Sequence, residues 1–306
     1  MTPAIAVTGL TRRYPGHVAL DDLRLTVGAG TITGLLGRNG AGKTTLLRIL
    51  AGQEFPSSGS VRVFGSPPAE NGSVLRRLVL VREDQEYPDS QGYPSFKASH
   101  ALRAASFSYP NWDADLASSL LADFGLRAKQ TVRSLSRGQR SALGITIGLA
   151  ARADVTLFDE PYAGLDAVAR RIFYDRLLED FTLNPRTVLL STHLIDEAAG
   201  LFDQVVMLDR GRVVLNAAAD ELRGMVTTVS GPALAVHAFT EGRPVWERRE
   251  LGSQASAVMV GRVSGDNRER ARSLGLDLAP LSLQQLMDHA SAGPGAAGPL
   301  MMRNSA

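Results

Sequence analysis

Thr31-Ile-Thr-Gly-Leu-Leu-Gly37-Arg-Asn-Gly-Ala-Gly42-Lys43-Thr44-Thr45 decides how this chain is read. Ile32, Leu35 and Leu36 form an apolar run that predicts a buried strand, and Leu46-Leu47-Arg48-Ile49-Leu50-Ala51 continues as a helix. The glycine-rich stretch between them fits G-x-x-x-x-G-K-[ST], with Gly37, Gly42, Lys43 and Thr44 at the fixed positions. Glycines let backbone N–H groups of Asn39, Gly40, Ala41 and Thr45 close around an anion, and the helix N-terminus adds partial positive charge. In such a loop the lysine reaches the outer phosphates of a nucleotide and the hydroxyl of Thr44 binds Mg²⁺. The strand before and the helix after separate this pattern from a chance glycine turn.

The chain has 306 residues, 44% of them hydrophobic, enough for one large domain or two modest ones with a good core. A formal net charge of +2 is too balanced to argue for nucleic acid as a partner. There is no cysteine, which excludes disulfides, thiolate zinc sites and cysteine nucleophiles and fits a reducing compartment. No apolar run approaches the roughly 18–20 residues that span a bilayer, and Met1 to Leu10 lacks the pattern of a signal peptide. The expectation is a cytosolic chain whose membrane role, if any, comes through a partner.

Ile5, Val7 and Leu10, then Leu23, Leu25 and Val27, alternate as half-buried strands do. Tyr14 falls in the turn between them, where an aromatic ring need serve no more than the surface. Ser60–Phe64 and Leu78–Val81 predict two further strands, and the polar segment after the latter is a candidate moving loop. From about 95 to 150 the spacing of Ala101, Leu102, Ala105 and of Leu116, Leu120, Leu121, Phe124 predicts a helical insert, with Gly125 as a helix stop. Strand–helix alternation returns over 153–224 and argues for an α/β sheet, with Gln204–Leu208 and Arg212–Leu215 as a hairpin. Residues 225–290 read as a small α/β appendage, with strands at Val226–Val229, Ala233–Phe239 and Ala257–Val260 and helices at Asn267–Leu274 and Leu281–His289. Residues 291–306 are rich in Gly, Ala, Pro and Ser and are expected to be disordered.

Three further pieces carry chemistry. The run Val155–Phe158 ends in Asp159 and Glu160; an acid at a strand's C-terminal end is placed to position Mg²⁺, and its neighbour to accept a proton from water. Ser136 opens a helix in Ser134-Leu-Ser-Arg-Gly-Gln139 as a cap, and Gly138 permits close approach of backbone to an anion. Ser191-Thr192-His193 follows a strand; a lone histidine there is more often a plain loop residue. Asp166 can serve simply as a helix N-cap.

Taken in order, these pieces resemble the ATP-binding subunit of ABC transporters over roughly residues 4–224. The loop at Gly37–Thr44 is similar to Walker A, Leu135-Ser136-Arg137-Gly138-Gln139 to the LSGGQ signature, Leu157–Pro161 to Walker B, Gly164-Leu165-Asp166 to the D-loop and His193 to the switch histidine. The resemblance implies a P-loop NTPase core sheet with an N-terminal antiparallel β subdomain and a helical insert at about 95–150 for the cassette at 1–224, to which the reading of the residues adds the small C-terminal α/β appendage at 225–290 and the tail at 291–306. It implies ATP and Mg²⁺ as cofactors, Glu160 as the base, Lys43 and His193 on the γ-phosphate side, and Tyr14 stacked on adenine. Thr44, Asp159 and Gln85 would hold Mg²⁺, with Gln85 also at the nucleotide, while Ser136, Gly138, Gln139 and Asp166 would meet nucleotide across a head-to-tail dimer. Three departures stand out: Arg137 replaces a common glycine, the loop glutamine falls either at Glu83, near where it usually lies, or at Gln85, two residues later, and residues 225–290 do not resemble the extended barrel domain of many sugar importers. The implied partners are a membrane permease and a second ATP-binding subunit, at the cytoplasmic face of the membrane, with export favoured. The competing readings are a soluble ABC ATPase of translation or DNA repair, and a P-loop kinase or GTPase.

Overall fold

The structure, a computed structural model, describes residues 3–82, 85, 87, 88, 95–222 and 224–291. The chain divides into two compact units, Met1–Leu194 with Val206–Val213, and Ile195–Val205 with Val214–Ala306.

The first unit opens with β1 (Ile5–Tyr14) and β2 (His17–Val27), an antiparallel pair in register from Ile5–Val27 to Tyr14–His17. The alternating residues Ile5, Val7, Leu10, Leu23, Leu25 and Val27 are the ones buried, as their spacing predicts. β3 (Ile32–Leu36) leads through the glycine loop into α1 (Lys43–Leu50), and β4 (Ser58–Val63) pairs with the free edge of β1. After the single turn α2 (Gly72–Leu75) comes β5 (Leu78–Arg82). The insert holds α3 (Ala98–Ser108), α4 (Ala114–Asp123) and α5 (Arg137–Ala150); Tyr109-Pro110-Asn111 separates the first two, and Gly125 with φ 63 follows the end of α4. β6 (Val155–Asp159), α6 (Ala167–Leu183) and β7 (Thr187–Ser191) restore the strand–helix rhythm.

α7 (Ile195–Ala198) precedes β8 (Gln204–Asp209) and β9 (Arg212–Ala218). The six-stranded sheet runs β5-β6-β7-β3-β8-β9, with β5, β6, β7 and β3 mutually parallel. Every residue of β3, β6 and β7 is buried, which is why they read as unbroken apolar runs. Parallel strands aligned this way bring their C-terminal ends, Leu36, Asp159 and Ser191, to one side, where ligands of open α/β sheets bind. The predicted hairpin closes through Arg210-Gly211, both at positive φ as a two-residue loop requires. One apolar cluster joins α1 (Leu46, Leu47, Leu50) to β1, β2 and the buried strands.

In the second unit a single turn, α8 (Ala219–Leu222), precedes β10 (Val226–Pro232), α9 (Ala233–Thr240), β11 (Val245–Leu251), β12 (Gln254–Val260), α10 (Gly265–Ser273), β13 (Asp277–Pro280) and α11 (Leu283–Ser291). The antiparallel sheet order β11-β12-β10-β13 with this element order is the β-α-β-β-α-β ferredoxin-like arrangement. Val236, Phe239 and Ala271 pack on Val229, Ala257 and Met259 as a separate core. The expected strand at Ala233–Phe239 is a helix. Pro232 caps its start, the run is alanine-rich, and Val236, Phe239 and Thr240 are buried at three- and four-residue spacing while Leu234 is exposed. β11 had no apolar alternation to announce it: Glu247, Arg248, Arg249 and Glu250 line an edge strand, where charge discourages unwanted pairing.

Candidate active site

The glycine loop is shaped by protein backbone before any ligand is considered. A side chain at Gly37 (φ 149) would meet the Leu208 carbonyl oxygen at 2.5 Å, and one at Gly42 (φ 105) the Ala19 carbonyl oxygen at 2.6 Å. Both positions therefore need glycine twice over, for conformation and for space. The loop holds Lys43 with its side chain nearly out of water, 5% exposed, although an ammonium is costly to bury. Its Nζ donates to the carbonyls of Gly37 at 2.7 Å and Arg38 at 3.4 Å, and lies 3.4 Å from Glu160 Oε1. Asn39–Thr45, with Tyr14, His17, Ala19 and Glu160, line an open cleft of about 450 Å³. Asn39, Gly40 and Thr44 face solvent there.

The acids at the end of β6 are separated by their environments. Asp159 is 6% exposed and accepts a hydrogen bond from Ser191 Oγ at 2.8 Å, in the parallel neighbour β7. Glu160 takes φ 47, which turns it out of the strand; its N–H donates to Ser191 O at 3.3 Å and to Ser191 Oγ at 3.2 Å. One Glu160 oxygen faces Lys43 and the other lies 2.8 Å from His193 Nδ1. Lys43, Glu160 and His193 thus form one chain of contacts at the cleft. The His193 side chain is 55% exposed. Tyr162 sits behind it with ring centroids 5.6 Å apart, and burial pushes its phenol up to about 12, so the hydroxyl stays neutral.

Tyr14 ends β1 at the cleft. Its hydroxyl donates to Glu54 Oε1, the guanidinium of Arg12 lies 4.6 Å over its ring, and Arg12 is held above its usual range by the Tyr14 hydrogen bond and by Glu54. One face of the ring is thus occupied by Arg12 and its tilt is tethered.

Ser136, Gly138, Gln139 and Asp166 do not line this cleft. Ser136 caps α5: its Oγ accepts from Gln139 N–H at 3.2 Å while Gln139 Oε1 accepts from Ser136 N–H at 3.1 Å. Gly138 also has a packing reason to be glycine, beside the anion approach its motif suggests. A Cβ there would stand 2.3 Å from the Gly164 carbonyl oxygen, so backbone meets backbone. Asp166 caps α6 by accepting from Ala169 N–H at 2.8 Å. Gln85 is partly buried three residues beyond β5; Glu83, the other position for the loop glutamine, lies outside the described residues. Ser191, Tyr162 and the Arg12–Glu54 pair were not singled out by the sequence. Only Ser191 carried a signal, as the residue beside Thr192-His193 at a strand end.

Oxygen donors of Thr44 and Asp159, a hydroxyl and a carboxylate, suit a hard cation such as Mg²⁺. Among the described residues no cluster of three or more His, Cys, Asp or Glu side chains could hold a metal by itself, so such a cation would take its remaining ligands from water and phosphate.

A phosphate cradle at the head of α1 facing a carboxylate at the end of a buried parallel strand makes this a P-loop nucleotide hydrolase. Residues 20–163 match the family model described as ABC transporter. The chain is 36% identical over 225 residues to the daunorubicin resistance ATP-binding protein DrrA3 of Streptomyces coeruleorubidus, across 72% of this chain and 70% of that one. It is 34% identical over 231 residues to the Nod factor export ATP-binding protein I of Ralstonia nicotianae, across 72% and 69%. A solved ATP-binding subunit of an ABC transporter superposes with TM-score 0.64 at 26% identity over 72% of this chain and 92% of that one. The chain belongs to the ATP-binding subunits of ABC transporters and is an ATPase.

Proposed function

We propose that two copies of this subunit close head to tail around ATP and drive a separate membrane permease, in the direction of export. Among the described residues no helix is long and apolar enough to cross a membrane; in this reading the force passes to a partner at the cytoplasmic face. Adenine stacks on the face of Tyr14 opposite Arg12. The N–H groups of the glycine loop and Lys43 Nζ hold the phosphates. Thr44 and Asp159 would hold Mg²⁺, which when bound neutralises phosphate charge as the bond to the leaving oxygen breaks.

Glu160 accepts the proton of the water whose oxygen attacks the γ-phosphorus, leaving ADP and phosphate. Lys43 and His193 hold the two oxygens of that carboxylate and set its direction. Ser136 and Gly138 sit away from their own cleft, on the N-terminus of α5, where a second copy's γ-phosphate completes the site. The helical insert, through the solvent-facing sides of α3 and α4, and the segment around 82–96, most of which lies outside the described residues, grip the permease. The observation that carries this reading is the Lys43–Glu160–His193 chain at the phosphate cleft.

Phosphate release by the purified subunit tests it. Glu160→Gln keeps the shape and hydrogen bonds but cannot take a proton, and kcat is expected to fall at least about a hundredfold with ATP binding retained. Wild-type turnover in that variant would remove Glu160 from its role. Reconstitution in vesicles with the permease encoded beside it, scoring ATP-driven efflux against uptake, tests the direction.

A further inference from the structure

We propose that Tyr162 is a positioning residue for hydrolysis, a strut whose hydroxyl holds the His193 segment so that the imidazole stays against Glu160. The proposal rests on the reading of Glu160 and His193 given above and adds the group that controls their geometry.

The His193 ring needs such a support. More than half of its side chain is exposed, so packing alone does not fix its direction. Its Nδ1 nonetheless lies 2.8 Å from Glu160 Oε2. The backbone beneath it is fixed from the other side. Tyr162 is 3% exposed, and its hydroxyl oxygen accepts the His193 N–H at 3.0 Å. The same hydroxyl shares a hydrogen bond of 2.7 Å with Thr192 Oγ1, which is itself fully buried and accepts the Leu194 N–H at 2.9 Å. Three consecutive residues, Thr192, His193 and Leu194, thus hang on one pair of hydroxyls.

The strut is not local: Tyr162 and His193 are 31 residues apart in sequence. Tyr162 instead belongs to the turn that carries Glu160, closed by the N–H of Ala163 on Glu160 O and the N–H of Leu165 on Tyr162 O. One side chain therefore links the turn bearing the base to the loop bearing its histidine. A phenylalanine would fill the same volume and keep the edge-on ring contact with His193, but it would take away the acceptor of the part-buried His193 N–H. The loop would then relax toward water, and a shift of about an ångström at a catalytic group costs up to about a hundredfold.

The test compares Tyr162→Phe, His193→Ala and the double variant in the full chain, reading thermal midpoint, ATP affinity, KM and kcat for phosphate release. Tyr162→Phe is expected to lower kcat about tenfold or more with KM and ATP affinity within about twofold. In the His193→Ala background the same substitution is expected to change kcat less than about twofold, because the strut acts through that ring. If Tyr162→Phe lowers kcat equally in both backgrounds, or leaves it untouched while His193→Ala is impaired, the strut is overturned and the roles of Glu160 and His193 stand. If His193→Ala turns over like wild type, the role of His193 falls and the strut with it. Should Tyr162→Phe not fold, Thr192→Val removes the other hydroxyl with the shape kept, and the same loss of kcat at constant KM is expected; wild-type kcat there overturns the proposal.

Discussion

Ser191→Ala removes one oxygen atom and tests how Asp159, the acid proposed to hold Mg²⁺, is positioned. Ser191 is fully buried at the end of β7, and its hydroxyl donates to Asp159 Oδ1 at 2.8 Å while accepting the Glu160 N–H at 3.2 Å. The Glu160 N–H keeps a second acceptor in the Ser191 carbonyl at 3.3 Å, so the main loss falls on Asp159. At 6% exposure, Asp159 has little water to replace the lost donor. A hydrogen bond to a buried carboxylate is worth about 1.5–3 kcal/mol, and losing an outer partner of a metal ligand weakens metal binding about 10- to 100-fold. Alanine fits the space, so the fold survives. The assay is ATPase rate against Mg²⁺ concentration at fixed ATP. The half-saturating Mg²⁺ should rise about tenfold or more, with kcat at saturating Mg²⁺ recovering most of the wild-type rate. An unchanged Mg²⁺ curve would show that Ser191 does not orient Asp159 and that the acid is positioned by its strand alone.

Gly138→Ala would put a Cβ 2.3 Å from the Gly164 carbonyl oxygen. The head of α5 and the Gly164–Asp166 turn must separate, at about 1–3 kcal/mol, so the thermal midpoint and the hydrolysis rate should both drop while ATP binding to the cleft is kept. Unchanged values of both would show that the contact yields freely. Alkaline unfolding gives a separate check on Tyr162, whose phenol is raised from 10.0 to about 12 by burial. The folded state holds this proton more tightly than the unfolded chain. Its contribution is therefore present in full below about pH 10 and lost as the pH rises through about 12, about 3 kcal/mol in all. Tyr162→Phe should flatten the stability curve in that window; an identical slope would mean the phenol ionises as freely folded as unfolded.

The phosphate loop, the strand-end acids and the α/β sheet were legible because each is a local pattern with a fixed spacing: Gly37 to Lys43, Val155 to Glu160, Thr187 to His193. Buried parallel strands show as unbroken apolar runs, and helix caps at Ser136 and Asp166 show as single residues. What was missed is non-local or ambiguous over short lengths. Ser191 meets Asp159 across 32 residues and Tyr162 meets His193 across 31, through strand pairing that no spacing encodes. The packing reason for glycine at 138 is a neighbouring backbone, invisible in the motif. Ala233–Phe239 is too short and too apolar for period to separate helix from strand, and the charged β11 lacks the alternation of a half-buried strand.

The central claim is that ATP is shared between two copies of this chain. Light scattering of the Glu160→Gln variant, with and without ATP, tests it most directly. The account predicts a mass that doubles from 32.7 kDa on adding ATP and Mg²⁺, with Ser136→Arg abolishing the doubling while each copy still binds nucleotide. A mass that stays at one chain while ATP saturates the cleft would contradict it.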